Sequence, residues 1–337
     1  MRALVLKKHG APEDALGVEE RPDPPVGPGQ VRVRVRAAGI NFADVVARVG
    51  LYPDAPKPPT VMGYEVAGEV DAVGAGANGF EPGQRVSAAT RFNGFAELAT
   101  ANASDVFPLP ERMSFEEGAA VPVNYGTAYA GVVLMAAVRP GERVLVHAAA
   151  GGVGTALLQL LKDRGAHVIG TASAAKHDAL RAQGCTDAID YRTQDVKAEV
   201  ERITGGEGVD VVFDALGEFR TGYRLLRPGG RMVMYGLSNV VTGDKRNVVK
   251  ALREVVTIPR FSAIKLMNDN RAVMGLNLLH WWDEAGSLSQ MTDPLVELME
   301  RDVIRPVVAE SFPFERAAEA HRFIQDRRNV GKVVLTP

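Results

Sequence analysis

The sequence predicts an α/β protein with a β-rich part followed by a doubly wound parallel sheet. In the first part, runs such as residues 31–36 alternate apolar and polar side chains, and Gly/Pro-rich turns separate them. From about Val123 onward, strand-like and helix-like segments alternate. That alternation is typical of βαβ units, in which helices cover both faces of a parallel sheet.

Each element of the second part is assigned from its apolar pattern. The expected strands are 143–148, 166–170, 187–190, 209–214 and 231–236, and the expected helices are 153–164, 175–183 and 194–203. A basic segment, 244–272, is expected to be helical, and the apolar run 272–279 is expected to be the last strand of the sheet.

Length, charge and cysteine content limit the class of protein. A chain of 337 residues suits two domains, and a net charge of −2 argues against a dedicated nucleic-acid binder. The single cysteine, Cys185, leaves no internal disulfide and no multi-cysteine zinc site. The N-terminus lacks the pattern of a signal peptide, so we expect a cytoplasmic protein. The uncharged stretch 118–138 contains Pro122 and is interpreted as a buried helix rather than a membrane span.

A glycine-rich turn marks a dinucleotide site. It follows the apolar run 144–146 and opens an amphipathic stretch, 155–164. Small residues allow a phosphate to approach the backbone, and the N–H groups of a helix start then face the anion. The residues expected to bind the pyrophosphate share this turn: Ala149, Gly151, Gly152, Val153 and Gly154. The alternative is a strand-to-helix turn that binds nothing.

The tip of the second strand indicates which dinucleotide binds. An NAD site needs an Asp or Glu there to hold the ribose 2′-OH, but residues 171–176 read Thr-Ala-Ser-Ala-Ala-Lys. Ser173 and Lys176 suit a 2′-phosphate instead, as a donor and a point charge. The sequence therefore predicts NADPH as the cofactor. The alternative for Lys176 is an ordinary solvated lysine.

Several motifs in order resemble the medium-chain dehydrogenase/reductase superfamily. They extend over the whole chain: Gly39-Ile40-Asn41-Phe42-Ala43-Asp44, Gly50-Leu51-Tyr52-Pro53, Gly63-Tyr64-Glu65-Val66-Ala67-Gly68, Pro122 to Tyr129, Ala148 to Gly154, and Asn329-Val330-Gly331-Lys332. Within the superfamily the chain resembles the zinc-free quinone oxidoreductase branch. The stretch from Lys265 to Trp282 is most similar to the vesicle amine transport protein homologues of that branch.

The resemblance implies two domains and a homodimer. Residues 1–122 would form a GroES-like catalytic domain completed by 286–337, and residues 123–285 would form the Rossmann domain that binds NADPH. The family places its active site in the cleft between these domains, a usual position for a ligand pocket. Its members commonly pair through their Rossmann sheets, which would use the 272–280 strand here.

The resemblance also implies further cofactor contacts. Thr127 would approach the nicotinamide carboxamide, and Tyr191 would flank the 2′-phosphate beside Lys176. Gly236, Leu237 and Ser238, after the next long strand, would border the nicotinamide. Asn329, in the motif near the end of the chain, would also contact the cofactor.

The chain departs from the zinc-dependent alcohol dehydrogenases at their metal ligands. Asn41 stands where those enzymes have a ligand cysteine, and Tyr64 stands where they have the histidine of Gly-His-Glu. The six histidines show no ligand-like spacing, and His147 is interpreted as a core residue of the first Rossmann strand. Because zinc needs N or S ligands, we predict no metal site and no metal-assisted alcohol oxidation.

Without zinc, the favoured hydride acceptor is an electron-poor quinone or conjugated carbonyl, whose oxygen needs a hydrogen-bond donor. The candidate donors are Asn41, Tyr52 and Tyr64. Their structural alternatives are a turn residue, a packed loop tyrosine and a core tyrosine, respectively.

Three functions remain open at this point. The leading hypothesis is an NADPH-dependent quinone reductase, and the second is an enone or 2-alkenal reductase. The third, of another class, is an NADPH-binding sensor or surface-associating protein with negligible turnover. Basic residues in 245–271 suit a solvated helix face better than a membrane or RNA contact.

Overall fold

The structure, a computed structural model, describes residues 1–241, 243 and 258–337. It divides into two compact units. Met1–Gly126 and Leu279–Pro337 belong to the first unit, and Thr127–Val240 belongs to the second, together with the chain that leads to Leu278. Residues 244–257 of the segment expected to be basic and helical, 244–272, lie outside the described residues.

The strands are numbered along the described chain. They are β1 (Arg2–Leu6), β2 (Leu16–Glu20), β3 (Gln30–Ile40), β4 (Thr60–Val61), β5 (Glu65–Val73), β6 (Arg85–Ala89), β7 (Leu98–Asn102), β8 (Val106–Pro108), β9 (Arg143–Val146), β10 (His167–Ala172), β11 (Asp187–Asp190), β12 (Val209–Asp214), β13 (Leu226–Met234), β14 (Ala272–Gly275), β15 (Val308–Pro313) and β16 (Lys332–Thr336).

The helices are numbered in the same way. They are α1 (Pro12–Ala15), α2 (Phe42–Arg48), α3 (Phe115–Gly118), α4 (Pro122–Tyr129), α5 (Gly152–Asp163), α6 (His177–Ala182), α7 (Val196–Thr204), α8 (Phe219–Leu225), α9 (Ala263–Asp269), α10 (Leu278–Ala285), α11 (Ser289–Glu300) and α12 (Ala317–Gln325). A π-helix, Ala130–Met135, continues α4, and Ala174–Lys176 is a short 3₁₀ helix.

The first unit is built on two sheets. In its described residues, β2, β1 and β4 form a small antiparallel sheet, and a larger sheet runs β15-β16-β3-β5-β6-β8, with β7 also paired to β3. The long strand β3 alternates inward valines with outward arginines, so its valines are buried while its arginines reach acidic partners on β5. The inward side chains form the core of this unit with Phe95, Phe312 and Phe314.

The second unit contains a parallel sheet with the order β11-β10-β9-β12-β13-β14. The strand of this sheet that comes first in the sequence, β9, lies between β10 and β12, so the connections run outward from it in both directions. In such sheets a ligand binds beyond the carboxyl ends of the strands at this change of direction. The turn after β9 is therefore placed where a dinucleotide is expected.

Three sequence-based assignments in this sheet were wrong in their limits. β13 spans Leu226–Met234 instead of 231–236. β9 ends at Val146, so His147 lies in the turn after the strand, although it is buried as expected. β14 ends at Gly275, and residues from Leu278 onward form α10 instead of continuing the strand. The reason is periodicity: Leu279 and Trp282, spaced three apart, are both buried on one helix face.

Trp282 is held inside the first unit by a buried carboxylate. Asp105 accepts hydrogen bonds from the Trp282 indole N–H at 3.1 Å and from the backbone N–H of Leu288 at 2.8 Å. The Ser287 hydroxyl also donates to Asp105, at 3.3 Å, on the same carboxylate oxygen that accepts the Leu288 N–H. These contacts explain the burial of Trp282 within a single chain.

The uncharged stretch 118–138 is divided among the end of α3, the helix α4 and the π-helix. No helix in the described part of the chain is both long enough and apolar enough to cross a bilayer.

Candidate functional site

The turn between β9 and α5 exposes backbone N–H groups. Ala148 adopts a positive φ of 51°, and the Gly151 N–H closes the turn on the Ala148 carbonyl at 2.9 Å. α5 begins after Gly151, and no side chain caps it. Its first N–H groups have no partner within the helix, so they are available to an anion. Gly152 and Val153 supply the first of these groups.

Two glycines of the turn have different roles. A Cβ on Gly154 would lie 2.6 Å from the Ala149 carbonyl oxygen, so this glycine is required for α5 to pack on the strand end. A Cβ on Gly151 would meet only the Ala148 carbonyl oxygen, at an ordinary 3.4 Å, and its φ of −73° suits any residue. Because the fold does not require a glycine at 151, the open space beside it fits the approach of a phosphate group.

The tips of β10 and β11 lie side by side. Ala172 pairs with Asp190 at the last position of this ladder, which brings Ser173 and Tyr191 to the same edge of the sheet. Lys176 ends the short 3₁₀ helix that starts after Ser173, and its N–H donates to the Ser173 carbonyl at 2.9 Å. These residues form a polar tip without a carboxylate on β10, which is the feature that the sequence predicted.

The Asp190 carboxylate is held mainly by hydrogen bonds from its own turn, and the backbone of Ala174 at the β10 tip also favours its charged form. It accepts the Arg192 N–H at 3.1 Å and the Thr193 hydroxyl at 2.9 Å, and these hydrogen bonds hold the pKa of Asp190 below its usual value. Tyr191, the next residue, is 39% exposed, so its ring is available as a flat surface beside the tip.

The loop after β13 packs on the loop after β12. The Ser238 N–H donates to the Ala215 carbonyl at 2.9 Å, and a Cβ on Gly236 would lie 2.9 Å from the same oxygen. Leu237 between them is 38% exposed. Thr127 on α4 is buried in the same unit, with 9% of its surface exposed.

The three candidate donors all belong to the first unit, where Asn41 precedes α2. The Asn41 N–H donates to the Asp44 carboxylate at 2.8 Å, which fixes the start of the helix. Its side-chain amide donates from Nδ2 to Glu65 at 3.0 Å and accepts from Lys332 at 2.6 Å. Asn41 is therefore more than a turn residue that bonds its own backbone.

Tyr64 combines a packed ring with an unsatisfied hydroxyl. Its ring lies 5.1 Å from that of Phe92, and only 6% of the residue is exposed. Within the described residues, the buried hydroxyl has no hydrogen-bond partner. Burial, and then the negative charge of Asp44, raise the pKa of Tyr64 well above its usual value, so the hydroxyl stays protonated and able to donate.

Tyr52 lies in the loop after α2 and is half-buried against the same core. Burial, and then the charge of Asp54, raise the pKa of Tyr52 to about 12. Because Asp44 acts on both tyrosines, their hydroxyls lie in one electrostatic environment. Asn329, the remaining candidate, bonds its own segment through a 2.8 Å contact from Nδ2 to the Gly331 carbonyl.

Sequence reasoning missed Glu65 and Lys332 as members of the polar site. Glu65 has no exposed surface, and Lys332 has 2%. The available signal was a charged residue in each of two apolar strand sequences, Glu65-Val66-Ala67 and Lys332-Val333-Val334-Leu335. A buried charge is uncommon unless it is paired, so each residue should have prompted a search for the other.

The donor set does not suit a metal ion. Within residues 1–241, 243 and 258–337, no three His, Cys, Asp or Glu side chains lie together in a metal-binding arrangement. The amide of Asn41 is held by Lys332, whose positive charge opposes a cation at the same place.

Two family models match the sequence. Residues 27–111 match the alcohol dehydrogenase GroES-like domain, and residues 183–335 match a model described as zinc-binding dehydrogenase. Over its full length the chain is 42% identical to the synaptic vesicle membrane protein VAT-1 homolog of Rattus norvegicus, of which it covers 84%. The chain belongs to the medium-chain dehydrogenase/reductase superfamily.

Solved structures of this superfamily match the whole chain. The human synaptic vesicle membrane protein VAT-1 homolog-like protein aligns with a TM-score of 0.86 at 35% identity, over 100% of this chain and 98% of that one. The quinone oxidoreductase of Escherichia coli, solved in complex with NADPH, aligns with a TM-score of 0.86 at 30% identity, over 100% of both chains.

These comparisons confirm the family resemblance and the fold class. A GroES-like N-terminal domain and a Rossmann-like parallel sheet are both present, as in other medium-chain reductases. The coarse activity follows from the family: the chain is an oxidoreductase that uses a nicotinamide dinucleotide.

Proposed function

We propose that this protein is a zinc-independent, NADPH-dependent oxidoreductase that transfers hydride to quinones. The observation that carries the proposal is the β10 tip, where Ser173 and Lys176 replace the carboxylate that an NAD site needs. The NADPH complex of the similar Escherichia coli quinone oxidoreductase supports both the cofactor and the acceptor class.

The cofactor would be held by residues of the second unit. The uncapped start of α5 with Gly151 would bind the pyrophosphate, and Ser173, Lys176 and Tyr191 would surround the 2′-phosphate. Thr127 and residues 236–238 would border the nicotinamide, and Asn329 is a further proposed cofactor-binding residue. Bound NADPH would supply the hydride, and a quinone that takes it together with one proton becomes a hydroquinone.

Asn41, Tyr52 and Tyr64 would act on the acceptor. Each can donate a hydrogen bond to an oxygen on which negative charge develops. The raised pKa values of both tyrosines keep them neutral at physiological pH, so they donate without first losing a proton. No metal is needed in this scheme, because the acceptor is already electron-poor.

The hydroxyl of Tyr64, which has no partner among the described residues, favours a second candidate function, the reduction of enones or 2-alkenals. Such a reaction needs a proton at the α-carbon or a firm hold on the carbonyl, and the raised pKa of Tyr64 suits a hydrogen bond to the carbonyl better than a proton transfer. The substrate classes share one site and differ in how strongly they depend on the tyrosines.

Anaerobic turnover assays test the proposal. Oxidation of NADPH and of NADH would be followed with menadione and with a 2-alkenal, and dinucleotide binding would be measured separately by fluorescence. We expect NADPH-dependent reduction of menadione. Preferred turnover of the 2-alkenal would support the second function, whereas tight NADPH binding with no turnover would support a binding protein.

We also propose that the protein is cytoplasmic and that its two domains comprise residues 1–122 with 286–337 and residues 123–285. We further propose that it forms a homodimer through β14. Among the described strands, β14 is at the end of the parallel sheet, and the nearby α9 exposes Ile264 and Met267. An open strand edge can pair with a second copy. Sedimentation of the wild type should give a dimer, and Met274→Glu should give a monomer; a monomeric wild type would contradict this.

A further inference from the structure

A buried ion pair lies directly behind Asn41 in the first unit. β16 pairs antiparallel with β3, with Val333 opposite Ile40, so Lys332 comes level with Asn41. Lys332 Nζ contacts the Glu65 carboxylate, and both side chains are at least 98% buried. Taking two charges out of water costs several kcal/mol per ion, so the pair needs further hydrogen bonds to be tolerated.

The pair is fully satisfied by neighbouring groups. Lys332 Nζ has three donors, and its acceptors are Glu65, Asn41 Oδ1 at 2.6 Å and Asn124 Oδ1 at 3.4 Å. Glu65 Oε1 also accepts from Asn41 Nδ2 at 3.0 Å, while Oε2 accepts the Val123 N–H at 2.8 Å. Each donor of the lysine has one acceptor, and both carboxylate oxygens are used.

Gly39 leaves the room that the ion pair occupies. A Cβ at Gly39 would clash with the backbone carbonyl oxygen of Ala119, and it would also lie 2.5 Å from Lys332 Cε and 2.8 Å from Glu65 Oε1. Its requirement for glycine therefore comes from the Ala119 backbone together with the charged pair. The motif Gly39-Ile40-Asn41 thus contains both the amide and the space for the charges behind it.

These contacts fix the orientation of the Asn41 amide. Lys332 binds its oxygen and Glu65 binds one of its two N–H groups, so a flipped amide would face an ammonium with a donor and a carboxylate with an acceptor. One Nδ2 hydrogen remains. Asn41 keeps 9% of its surface exposed, more than Lys332, Glu65 or Asn124, so the amide is the outer member of this group.

We propose that Lys332 and Glu65 are positioning residues that lock the Asn41 amide, so that its second N–H is directed at the oxygen of the hydride acceptor. The inference rests on the proposed function, because it assigns the remaining donor to that substrate. The ammonium on Oδ1 also polarises the amide and strengthens its N–H donors, as hydrogen bonds in a chain reinforce one another. Lys332 itself does not touch the acceptor.

The test replaces the pair without leaving a buried charge. Lys332→Met alone would strand the Glu65 carboxylate, so the variant is the double substitution Glu65→Gln/Lys332→Met, which keeps similar volumes. The matched control is Arg36→Met/Glu69→Gln, an exposed pair at 3.0 Å on the neighbouring positions of β3 and β5. Asn41→Ala and the triple variant complete a double-mutant cycle.

Four readouts separate positioning from structure: the Asn41 side-chain ¹⁵N–¹H signals, NADPH affinity, the unfolding temperature, and kcat and KM for menadione. We expect the double variant to shift the Asn41 amide signals, keep NADPH affinity within about twofold and lower kcat about tenfold, a loss of about 1.4 kcal/mol. In the Asn41→Ala background the same change should lower kcat no further.

Several results would overturn the inference. They are unchanged amide signals, an equal loss of kcat in the Arg36/Glu69 control, or an additive loss in the Asn41→Ala background. A wild type that turns over neither menadione nor a 2-alkenal would refute the proposed function instead. In that case the amide signals still decide whether the ion pair locks Asn41.

Discussion

A Cβ on Gly154 would lie 2.6 Å from the carbonyl oxygen of Ala149, whereas one on Gly151, three residues earlier, would meet no atom closer than 3.4 Å. The two glycines lie in the same turn and helix start, yet packing requires a glycine only at position 154. Their different surroundings separate the fold from the proposed cofactor site and allow each to be tested alone.

Substitution of the two glycines should therefore have opposite consequences. Gly154→Ala forces atoms together at the start of α5, so we expect a loss of stability of about 1–3 kcal/mol. Gly151→Ala should cost less than about 1 kcal/mol, which is the scale of an N-cap change, but should weaken NADPH binding at least tenfold. Thermal unfolding and dinucleotide titration measure both. Normal NADPH affinity in folded Gly151→Ala would place the phosphate elsewhere.

Lys176→Ala tests the choice of dinucleotide. Loss of a charged contact to the 2′-phosphate is worth about 1.5–3 kcal/mol, so the KM for NADPH should rise by roughly tenfold or more while the KM for NADH stays unchanged. Lys197→Ala is the matched control, because Lys197 is a solvated lysine of the same unit that pairs with Glu201 on α7. An equal effect on both dinucleotides would remove Lys176 from the 2′-phosphate site.

Tyr64→Phe should change stability and activity in opposite directions. The buried hydroxyl finds no partner in the part of the chain that the structure describes, so its removal should stabilise the protein by about 1 kcal/mol. If the hydroxyl holds the acceptor, kcat should fall, more with a 2-alkenal than with menadione. Tyr223→Phe is the contrasting control, since that hydroxyl donates to Asp269 at 2.7 Å and its loss should destabilise. Unchanged kinetics for Tyr64→Phe would leave Tyr64 with a packing role.

Tyr52→Phe, in the loop after α2, tests whether 2-alkenals and quinones depend differently on this hydroxyl. Its hydroxyl is half-buried and protonated at neutral pH, with a pKa near 12, so it can donate but does not ionise. We expect 2-alkenal reduction to be lost and quinone reduction to be kept, because the alkenal depends on a hydrogen bond from this hydroxyl to its carbonyl oxygen, whereas a quinone is electron-poor enough to accept hydride without it. Equal losses with both acceptors would show that Tyr52 serves binding in general.

His321 on α12 should make stability depend on pH. Burial lowers its pKa to about 3, below the value near 6.5 expected in the unfolded chain. Between these values the unfolded chain binds a proton that the folded chain excludes, so the stabilisation present above pH 6.5 is lost as the pH falls. The loss is about 1.4 kcal/mol per pH unit.

Comparison of wild type with His321→Asn isolates this effect from opposing groups such as Asp44, whose pKa burial raises to about 7. From pH 6 down to pH 4, the wild type should lose about 2 kcal/mol more than the variant. Both tryptophans of the chain lie in the same unit as His321, so their fluorescence in urea reports on the relevant unfolding. His9→Asn, at an exposed position, should behave as wild type; parallel pH profiles for His321→Asn would contradict the prediction.

The sequence alone determined the features that depend on neighbours in the chain. The apolar run 144–146, the small residues 149–154 and the amphipathic helix that follows are local, so their order predicted the strand, the turn and the dinucleotide site together. The absence of a carboxylate after β10 was visible in the same way. The limits of elements could not be read from the sequence in the same way. At 272–279, a run of apolar residues fits either a strand or a buried helix, and only the burial of side chains on one helix face distinguishes the two.

Only the tertiary structure decided the polar site. Lys332 and Asn41 are 291 positions apart, and their 2.6 Å contact exists because β16 pairs with β3. The hydroxyl of Tyr64 was a candidate donor from its residue type, but its lack of a partner depends on every side chain around it. Hydrogen-bond satisfaction and burial are properties of packed neighbours that are distant in the chain, so no local pattern reports them.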